Sequence, residues 1–333
     1  MKKVTFFKSA ILALLACVCF VACENNLGEI PTEPETYTVK LGWAGEILDV
    51  SYEPLSTRAT TDDLYGIQVY SNDDSGWIPY AYGLFDDPNN ITVTLQKDCK
   101  YKFVATMVKD GKNRLHKNDY SEYYSPFGGV KIGDDFNYSS TTPMSGIIYG
   151  NANIVFADGS YNSYAIPNIE RFYGELSDYI PVENANVNID MKRTVFGAKF
   201  VVGGKLAVEG MLEIQIEGAP KMELALTEGN DEISEIFTFN EVSSAWAKDD
   251  YTEDINVTFI WLRADGTESP MGTHKITFKR NAMTIVEVNI VNDGDNAGIG
   301  LNIPDSETGD LDDGDTVVIV DGELVETEVG TEE

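Results

Sequence analysis

The chain has 333 residues, and its 24 Lys and Arg against 55 Asp and Glu give a formal net charge of −31 at pH 7. This charge excludes functions that need a clustered basic face, so we predict that the protein binds neither nucleic acid nor an anionic lipid surface. Only two histidines, His116 and His274, are present, and most hydrolytic mechanisms therefore lack their usual general base. We predict a protein that is not an enzyme and that uses no cofactor.

Residues 1–22 have the pattern of a secretory signal peptide, with three lysines followed by an apolar run from Ala10 to Ala22. The run is shorter than the roughly 20 residues that a membrane-spanning helix needs. The sequence FVAC ending at Cys23 resembles a bacterial lipobox, in which the cysteine is acylated and becomes the new N-terminus. Cys17 also fits the pattern, but Cys23 leaves a full-length apolar region upstream and a polar tether downstream. An ordinary secretion signal is the alternative. We predict lipid attachment at Cys23 and a tether over residues 23–35.

Once the signal is removed, Cys99 is the only thiol of the mature body, so no intramolecular disulfide can form. An exported chain without disulfides depends on its apolar core, and this chain is long enough to build one or two. We interpret Cys99 as a packing residue at the start of a strand.

Alternation of apolar and polar residues predicts the strands of a first domain, residues 36–183. In the first strand Tyr37, Val39, Leu41 and Trp43 share one face. Further strands are predicted at residues 64–70, 91–95 and 101–108.

Residues 113–182 interrupt this pattern with a segment rich in Tyr, Asn, Ser and Gly, which we predict to be an insertion in the first domain. Within it, Tyr120, Tyr123 and Tyr124 are candidate ligand contacts. A short helix is predicted further on from the spacing of four apolar residues, namely Ile169, Phe172, Tyr173 and Leu176.

A second domain is predicted over residues 184–292, with alternating strands at 212–216, 222–226, 255–261 and 286–290. The apolar phase changes between Met191 and Phe196, which implies a bulge near Lys192 to Thr194 or a strand that leaves one environment for another. We predict an all-β fold of two tandem antiparallel β-sandwiches, of immunoglobulin or transthyretin type.

Residues 293–333 contain no Lys or Arg, and we predict a flexible acidic tail. Its acidic residues do not fit the spacing of an EF-hand loop, so no metal site is predicted. Thr316 to Val320 form one strongly β-prone run, and Asp321-Gly322 can turn it into a hairpin.

The order of these features resembles the fimbrillin-like lipoproteins of the Bacteroidales over residues 1 to about 292. The features are the lipobox cysteine, the alternating first strand, Arg58 in a polar stretch, the strand LYGIQVY, the segment VNIDMKRTVFGAKFVV and the closing TFKRNAMTIVEVNI. The most specific are Lys279-Arg280-Asn281 and the placement of Arg58.

The resemblance implies a non-catalytic pilus subunit or adhesin, held on the surface of the outer membrane by a lipid at Cys23. It also implies cleavage between Arg58 and Ala59, which would release the subunit into a fimbrium and remove the first strand. Loss of Tyr37 to Trp43 would leave an open sheet edge and an apolar groove for a strand of another fimbrial subunit. The candidate donor is the run that contains Val318 and Val320, although a frayed tail explains that run as well.

A second hypothesis is a glycan-binding lipoprotein that stays anchored and contacts host or other sugars. Tyrosine rings can serve as sugar platforms, and the Tyr-rich insertion would supply them. A solvent-facing row of Tyr120, Tyr123 and Tyr124 would favour this hypothesis over the first.

Overall fold

The computed structural model of the protein describes residues 34–48, 62–72, 76–148, 154–157, 163–203, 210–227, 231–293 and 296–302. Cys23, Arg58, Ala59, Val318 and Val320 lie outside these residues. The described chain consists mostly of strands and has few helices, so the predicted all-β class is confirmed.

The first half of the chain forms one eight-stranded sheet in the order β4-β1-β10-β9-β5-β2-β3-β6. Its strands are β1 Thr36–Ala44, β2 Leu64–Asn72, β3 Trp77–Phe85, β4 Thr92–Gln96, β5 Lys100–Val108, β6 Asn137–Tyr138, β9 Arg171–Tyr179 and β10 Asn186–Arg193. Two short strands, β7 Ile154–Val155 and β8 Ser163–Tyr164, pair with each other. A 3-10 helix, Gly45–Leu48, follows β1 directly.

This sheet folds over on itself around one apolar core. The core contains Val39 and Leu41 of β1 together with Ile67 of β2 and Phe103 of β5. Strands from one end of the sheet therefore cover strands from its middle, and the alternation seen in the sequence of β1 follows from this one-sided burial.

Tyrosine hydroxyls cap the outer backbone of the edge strand β4. The N–H of Thr94 donates to Oη of Tyr138 at 2.8 Å, and the hydroxyl of Tyr80 donates to the carbonyl of Thr94 at 2.9 Å. The N–H of Gln96 donates to Oη of Tyr101 at 2.8 Å. These bonds connect β4 with strands at the opposite end of the sheet and satisfy groups that an edge strand normally leaves open.

The insertion packs on the other face of the sheet and forms a second core there. That core includes Leu115, Tyr123, Phe127 and Ile147, and the short helices α1 Gly111–Arg114 and α2 Ser145–Ile148 lie in this region. Fully buried Arg171 holds the insertion to the sheet, because its Nε donates to Thr106 Oγ1 at 2.8 Å and its Nη2 to the carbonyl of Gly146 at 3.2 Å. Burial lowers the pKa of Arg171 to about 10.

The second half is a sandwich of two four-stranded sheets, β14-β11-β17-β18 and β13-β12-β15-β16. The strands are β11 Val195–Gly203, β12 Gly210–Ile216, β13 Met222–Leu226, β14 Glu232–Thr238, β15 Thr252–Arg263, β16 Glu268–Lys279, β17 Met283–Asp293 and β18 Asn296–Asn302, with helix α3 Val242–Ala247. Phenylalanines fill the space between the sheets, among them Phe196, Phe200 and Phe259. Two pairings of the fold are parallel, β1 with β10 and β11 with β17, which differs from the purely antiparallel sheets predicted.

The chain passes from the first sheet to the second half at Thr194. Strand β10 pairs with β1 and β9, whereas β11 pairs with β14 and β17. The change of sheet therefore falls at Thr194, whereas the sequence predicts a domain boundary close to residue 184; the domain bounds stay a prediction. Of the two explanations for the phase change, this pairing corresponds to a strand that leaves one environment for another.

Two segments differ from the prediction. The stretch with Phe172 and Tyr173 is strand β9 and not a helix, because β9 is a central strand with Phe172 in one core and Tyr173 in the other. Residues 296–302, predicted as the start of the flexible tail, form β18 and pair antiparallel with β17.

Among the described residues, no helix has the length and apolar composition needed to cross a membrane. Nor do the acidic, histidine and cysteine side chains of that part of the chain group in threes that could hold a metal ion.

Candidate functional site

Strand β1 lies inside the sheet and joins β4 to β10. Residues Thr36 to Lys40 pair antiparallel with β4, and Lys40 to Ala44 pair parallel with β10. We call the space that β1 occupies between these two strands the strand slot. Removal of β1 would therefore leave two open strands facing each other, and not the single outer edge that the sequence predicts.

The side chains of β1 that face inward are part of the first core. Val39 and Leu41 are fully buried. The ring of Trp43 lies 5.3 Å from that of Tyr65, and its Nε1 donates to the carbonyl of Pro88 at 3.2 Å. Tyr37 is half-buried, and its hydroxyl donates to Glu35 at 3.1 Å. The predicted strand-exchange residues of β1 thus fill the strand slot, and their burial there removes apolar surface from water.

The turn after β1 requires a glycine at position 45. Gly45 has a φ of 77°, in the left-handed region that favours glycine. A Cβ there would also lie 2.9 Å from the carbonyl oxygen of Met191. The chain can therefore pass close to β10 at this point only with glycine.

The carboxylate of Glu46 connects the end of β1 to the second half of the chain. Arg280 Nη1 donates to both of its oxygens, at 2.9 and 2.7 Å, and the backbone N–H of Arg193 donates to Oε2 at 2.8 Å. The side chain of Arg280 is 5% exposed and that of Glu46 is 28% exposed. We call the Arg280 guanidinium and the Arg193 N–H the carboxylate site.

A second ion pair extends this junction. Arg193 Nε lies 2.9 Å from Glu170 Oε1, and both side chains are buried. Arg280 Nη1 also donates to the carbonyl of Arg193 at 3.0 Å, and Lys192 binds Asp249 at 2.6 Å. The hydrogen bond from Lys192, together with the charges of Lys192 and Arg280, holds the pKa of Asp249 below its usual value. Arg280 belongs to the Lys279-Arg280-Asn281 feature of the family resemblance, whereas no role is predicted from the sequence for Glu46.

The described residues resume at Asp62, immediately before β2. The N–H of Lys112 donates to the carbonyl of Asp62 at 2.8 Å, and the N–H of Asp110 donates to Asp63 Oδ1 at 2.9 Å. Asp62 is thus held four positions after Arg58, and β1 with its 3-10 helix ends at Leu48. Both ends of the segment that contains Arg58 are anchored in the fold.

The other arginines of the chain are all held by the fold. The sequence has six arginines, and the five described ones are Arg114, Arg171, Arg193, Arg263 and Arg280, each buried or half-buried. Arg114 donates to the carbonyl of Asn168 at 2.6 Å, and Arg263 lies 4.5 Å from the ring of Trp261. Arg58 is the only arginine outside the described residues.

The three candidate tyrosines of the insertion do not form one exposed row. Tyr123 is 4% exposed and packs in the second core, so it is a core residue. Tyr120 is 73% exposed and Tyr124 is 40% exposed, with the Tyr124 ring 4.8 Å from that of His116. Tyr120 and Tyr124 stay predicted contacts.

Comparison with known proteins gives matches among solved structures alone. No protein-family model and no curated protein matches the chain. The solved structures that match include fimbrial and adhesin proteins from Bacteroides, Parabacteroides and Porphyromonas, within the group that the sequence resemblance indicates.

Three of these structures illustrate the match. A "putative adhesin" from Bacteroides ovatus is 11% identical with a TM-score of 0.41, over 85% of this chain and 96% of that chain. The C-terminally truncated tip fimbrial protein Mfa3 from Porphyromonas gingivalis is 9% identical with a TM-score of 0.34, over 80% and 99%. The fimbrial anchor protein Mfa2 from the same organism is 9% identical with a TM-score of 0.36, over 80% and 96%. These TM-scores are too low to carry an argument about the role of this chain.

Proposed function

We propose that the chain is a non-catalytic surface subunit of fimbrial type that assembles by strand replacement. In this proposal Cys23 carries the lipid that holds the protein at the outer membrane. Cleavage after Arg58 then frees β1, and a strand of a neighbouring subunit fills the strand slot.

The observation that carries the proposal is the position of β1. The strand contributes fully buried side chains to the first core, yet its chain connection to β2 runs through residues 49–61. A cut at Arg58 would turn β1 from a covalent part of the sheet into a separate segment, and β-strand addition would supply its replacement. The tyrosine bonds on β4 favour this slot over the outer edge, because the backbone groups of Thr94 are already used.

Selective cleavage is chemically reasonable for this chain. An arginine-specific protease needs an accessible arginine, and none of the five described arginines is exposed. Arg58 is the arginine at which the sequence predicts cleavage.

The test is digestion of the purified protein with an arginine-specific protease. We expect two fragments that meet at Arg58 and Ala59, with no cut in R58Q, followed by oligomers that withstand mild denaturant. R263Q is the matched control and should be cut as the wild type is. Cutting at several of the other arginines under native conditions, or cut protein that stays monomeric, would contradict the proposal.

Lipid attachment is tested separately by the mass of the mature protein from cells. We expect an acylated N-terminus at Cys23 before cleavage and none on the fragment that begins at Ala59. A mature protein that begins at another residue and carries no acyl group would contradict the proposed lipid anchor at Cys23. It would leave the proposal of strand replacement unaffected.

A further inference from the structure

Glu46, which follows β1, binds the charged guanidinium of Arg280 in the second half of the chain. Its carboxylate accepts hydrogen bonds from Arg280, whose side chain is 5% exposed, and from the backbone N–H of Arg193. These donors come from elements that remain in place when β1 leaves.

Departure of β1 would leave both donors without this acceptor. Arg280 would keep its 3.0 Å hydrogen bond to the neutral carbonyl of Arg193, but its remaining contacts to Asp249, at 3.4 Å to the carbonyl and 3.7 Å to the carboxylate, are long for hydrogen bonds. A buried cation or N–H that loses its partner costs free energy. The strand slot therefore favours an occupant that brings its own carboxylate to this position.

The structure sets a spacing rule for such an occupant. Leu41 and Trp43 face inward, glycine is required at position 45, the carboxylate follows at 46, and Ile47 is buried in the first core. An occupant thus needs an inward-facing apolar residue at the first position and another at the third. A glycine at the fifth position, an acidic residue at the sixth and an aliphatic residue at the seventh complete the pattern.

The chain contains this pattern once more, in its tail. Gly-Glu occurs four times in the sequence, at Gly28, Gly45, Gly174 and Gly322. Only Gly45 and Gly322 have apolar residues both two and four positions before the glycine. In the tail these are Val320 and Val318, and Glu323 and Leu324 follow the glycine.

Two positions of the tail differ from β1. Thr316 falls where β1 has Val39, and Ile319 falls where β1 has Gly42. A Cβ at position 42 would lie 2.5 Å from Asn188 Oδ1, the end of an exposed side chain that can turn away. Neither difference affects the correspondence of Gly322 with Gly45 and of Glu323 with Glu46.

We propose that the carboxylate site selects the strand that fills the slot, and that residues 316–325 of a second copy fill it with Glu323 in place of Glu46. The inference rests on the proposed function, because β1 must leave first. It adds a register, in which Val318 takes the place of Leu41 and Val320 that of Trp43.

The test uses the protein cut at Arg58 and two synthetic peptides, residues 36–48 and residues 313–327. We expect the 313–327 peptide to bind the cut protein and not the uncut protein. E323Q in the peptide should weaken binding by about tenfold to a hundredfold, as for a lost hydrogen bond to a charged group. E326Q, which removes an acid outside the register, is the matched control and should bind as the wild type does.

A second variant ties the effect to the site. On R280Q protein, whose folding is checked by its unfolding curve, wild-type and E323Q peptides should bind alike, as a double-mutant cycle requires. The 36–48 peptide with E46Q gives the same comparison for the native strand. Without tail peptide, the cut wild-type protein should form oligomers, and E323Q in the full chain should weaken them.

The outcomes separate this inference from the proposed function. Equal binding of the wild-type and E323Q peptides overturns the carboxylate site and leaves strand replacement standing. Binding of residues 36–48 but not of residues 313–327 overturns the tail as occupant. If the tail peptide binds but the cut protein stays monomeric, the claim that the tail of a second copy fills the slot is overturned. If neither peptide binds, strand replacement fails as well.

Discussion

The backbone N–H of Thr94 donates a 2.8 Å hydrogen bond to the hydroxyl of Tyr138, forty-four positions further along the chain. With the bond from Tyr80 to the carbonyl of Thr94, it leaves the middle of the edge strand β4 without free backbone groups. An edge strand closed in this way is a poor template for further pairing.

Tyr138→Phe should open this edge. Loss of the hydroxyl removes the acceptor of Thr94, and we expect a loss of roughly 0.5–1.5 kcal/mol in the free energy of unfolding. Hydrogen exchange at the Thr94 amide should become faster. Tyr120→Phe, at an exposed ring, is the control and should leave both quantities unchanged; unaltered Thr94 exchange in the first variant would show that the bond does not close the edge.

Leu41→Ala should create a cavity in the first core. Leu41 is fully buried, and such truncations cost about 2–5 kcal/mol in the free energy of unfolding. In protein cut at Arg58 the same change should speed the release of the β1 fragment, measured by gel filtration. Thr38→Ala, on the exposed face of β1, should change stability by less than about 0.5 kcal/mol. A Leu41→Ala protein as stable as the wild type would place the strand outside the core.

Gly45→Ala should destabilise the protein more than Gly266→Ala. Both glycines have positive φ, 77° and 82°, so both substitutions carry the same backbone strain of about 1 kcal/mol. At Gly45 the new Cβ also meets the carbonyl of Met191, whereas at Gly266 it meets nothing within 4 Å. Urea unfolding of the two variants measures the difference, and equal losses would contradict the close passage of the chain at β10.

Glu253→Gln should stabilise the protein at pH 7 but not in acid. Burial raises the pKa of Glu253, and the nearby charge of Glu241 adds to this, although the hydroxyl of Tyr251 opposes it. Because the pKa of Glu253 is higher in the folded than in the unfolded state, protonated Glu253 favours the folded state. This contribution to stability is fully present below the unfolded-state pKa and is lost as the pH rises through the folded-state pKa.

The substitution removes that loss, so the melting temperature of Glu253→Gln should exceed that of the wild type at neutral pH. The two should converge below the ordinary pKa of 4.5 for glutamate. Glu268→Gln, at an exposed position, is the control. If the difference in melting temperature between Glu253→Gln and the wild type persists unchanged in acid, the stabilisation comes from packing and not from the charge of Glu253.

The sequence predicts β1 because its burial is one-sided, and it gives the wrong element for β9, whose first four residues are all buried. β1 alternates because Val39 and Leu41 point into one core, and the pattern reports this directly. β9 gives a false helical spacing because its residues fill two cores. β3 is absent from the prediction. It contains Pro79, a residue type that is rare inside strands, and the structure places Pro79 where the pairing with β2 shifts register.

The candidate site is predictable only in part. The apolar face of β1 is a local pattern, so its residues could be named from the sequence. The partner of Glu46 is Arg280, which is 234 positions away, and no local pattern connects them. The repeated Gly-Glu spacing at Gly322 is visible in the sequence, but it gains a meaning only when the site of Glu46 is known.

The pairing of β1 also fixes how the fold responds to mechanical load. A pull on the residues that precede Thr36 acts along the strand and across its hydrogen bonds, which are perpendicular to the strand in the antiparallel pairing with β4 and slanted in the parallel pairing with β10. Those bonds then share the force and must break together, whereas bonds at the end of a hairpin would open one after another. A cell-surface protein tethered through this strand would resist extension at the point where the tether enters the fold.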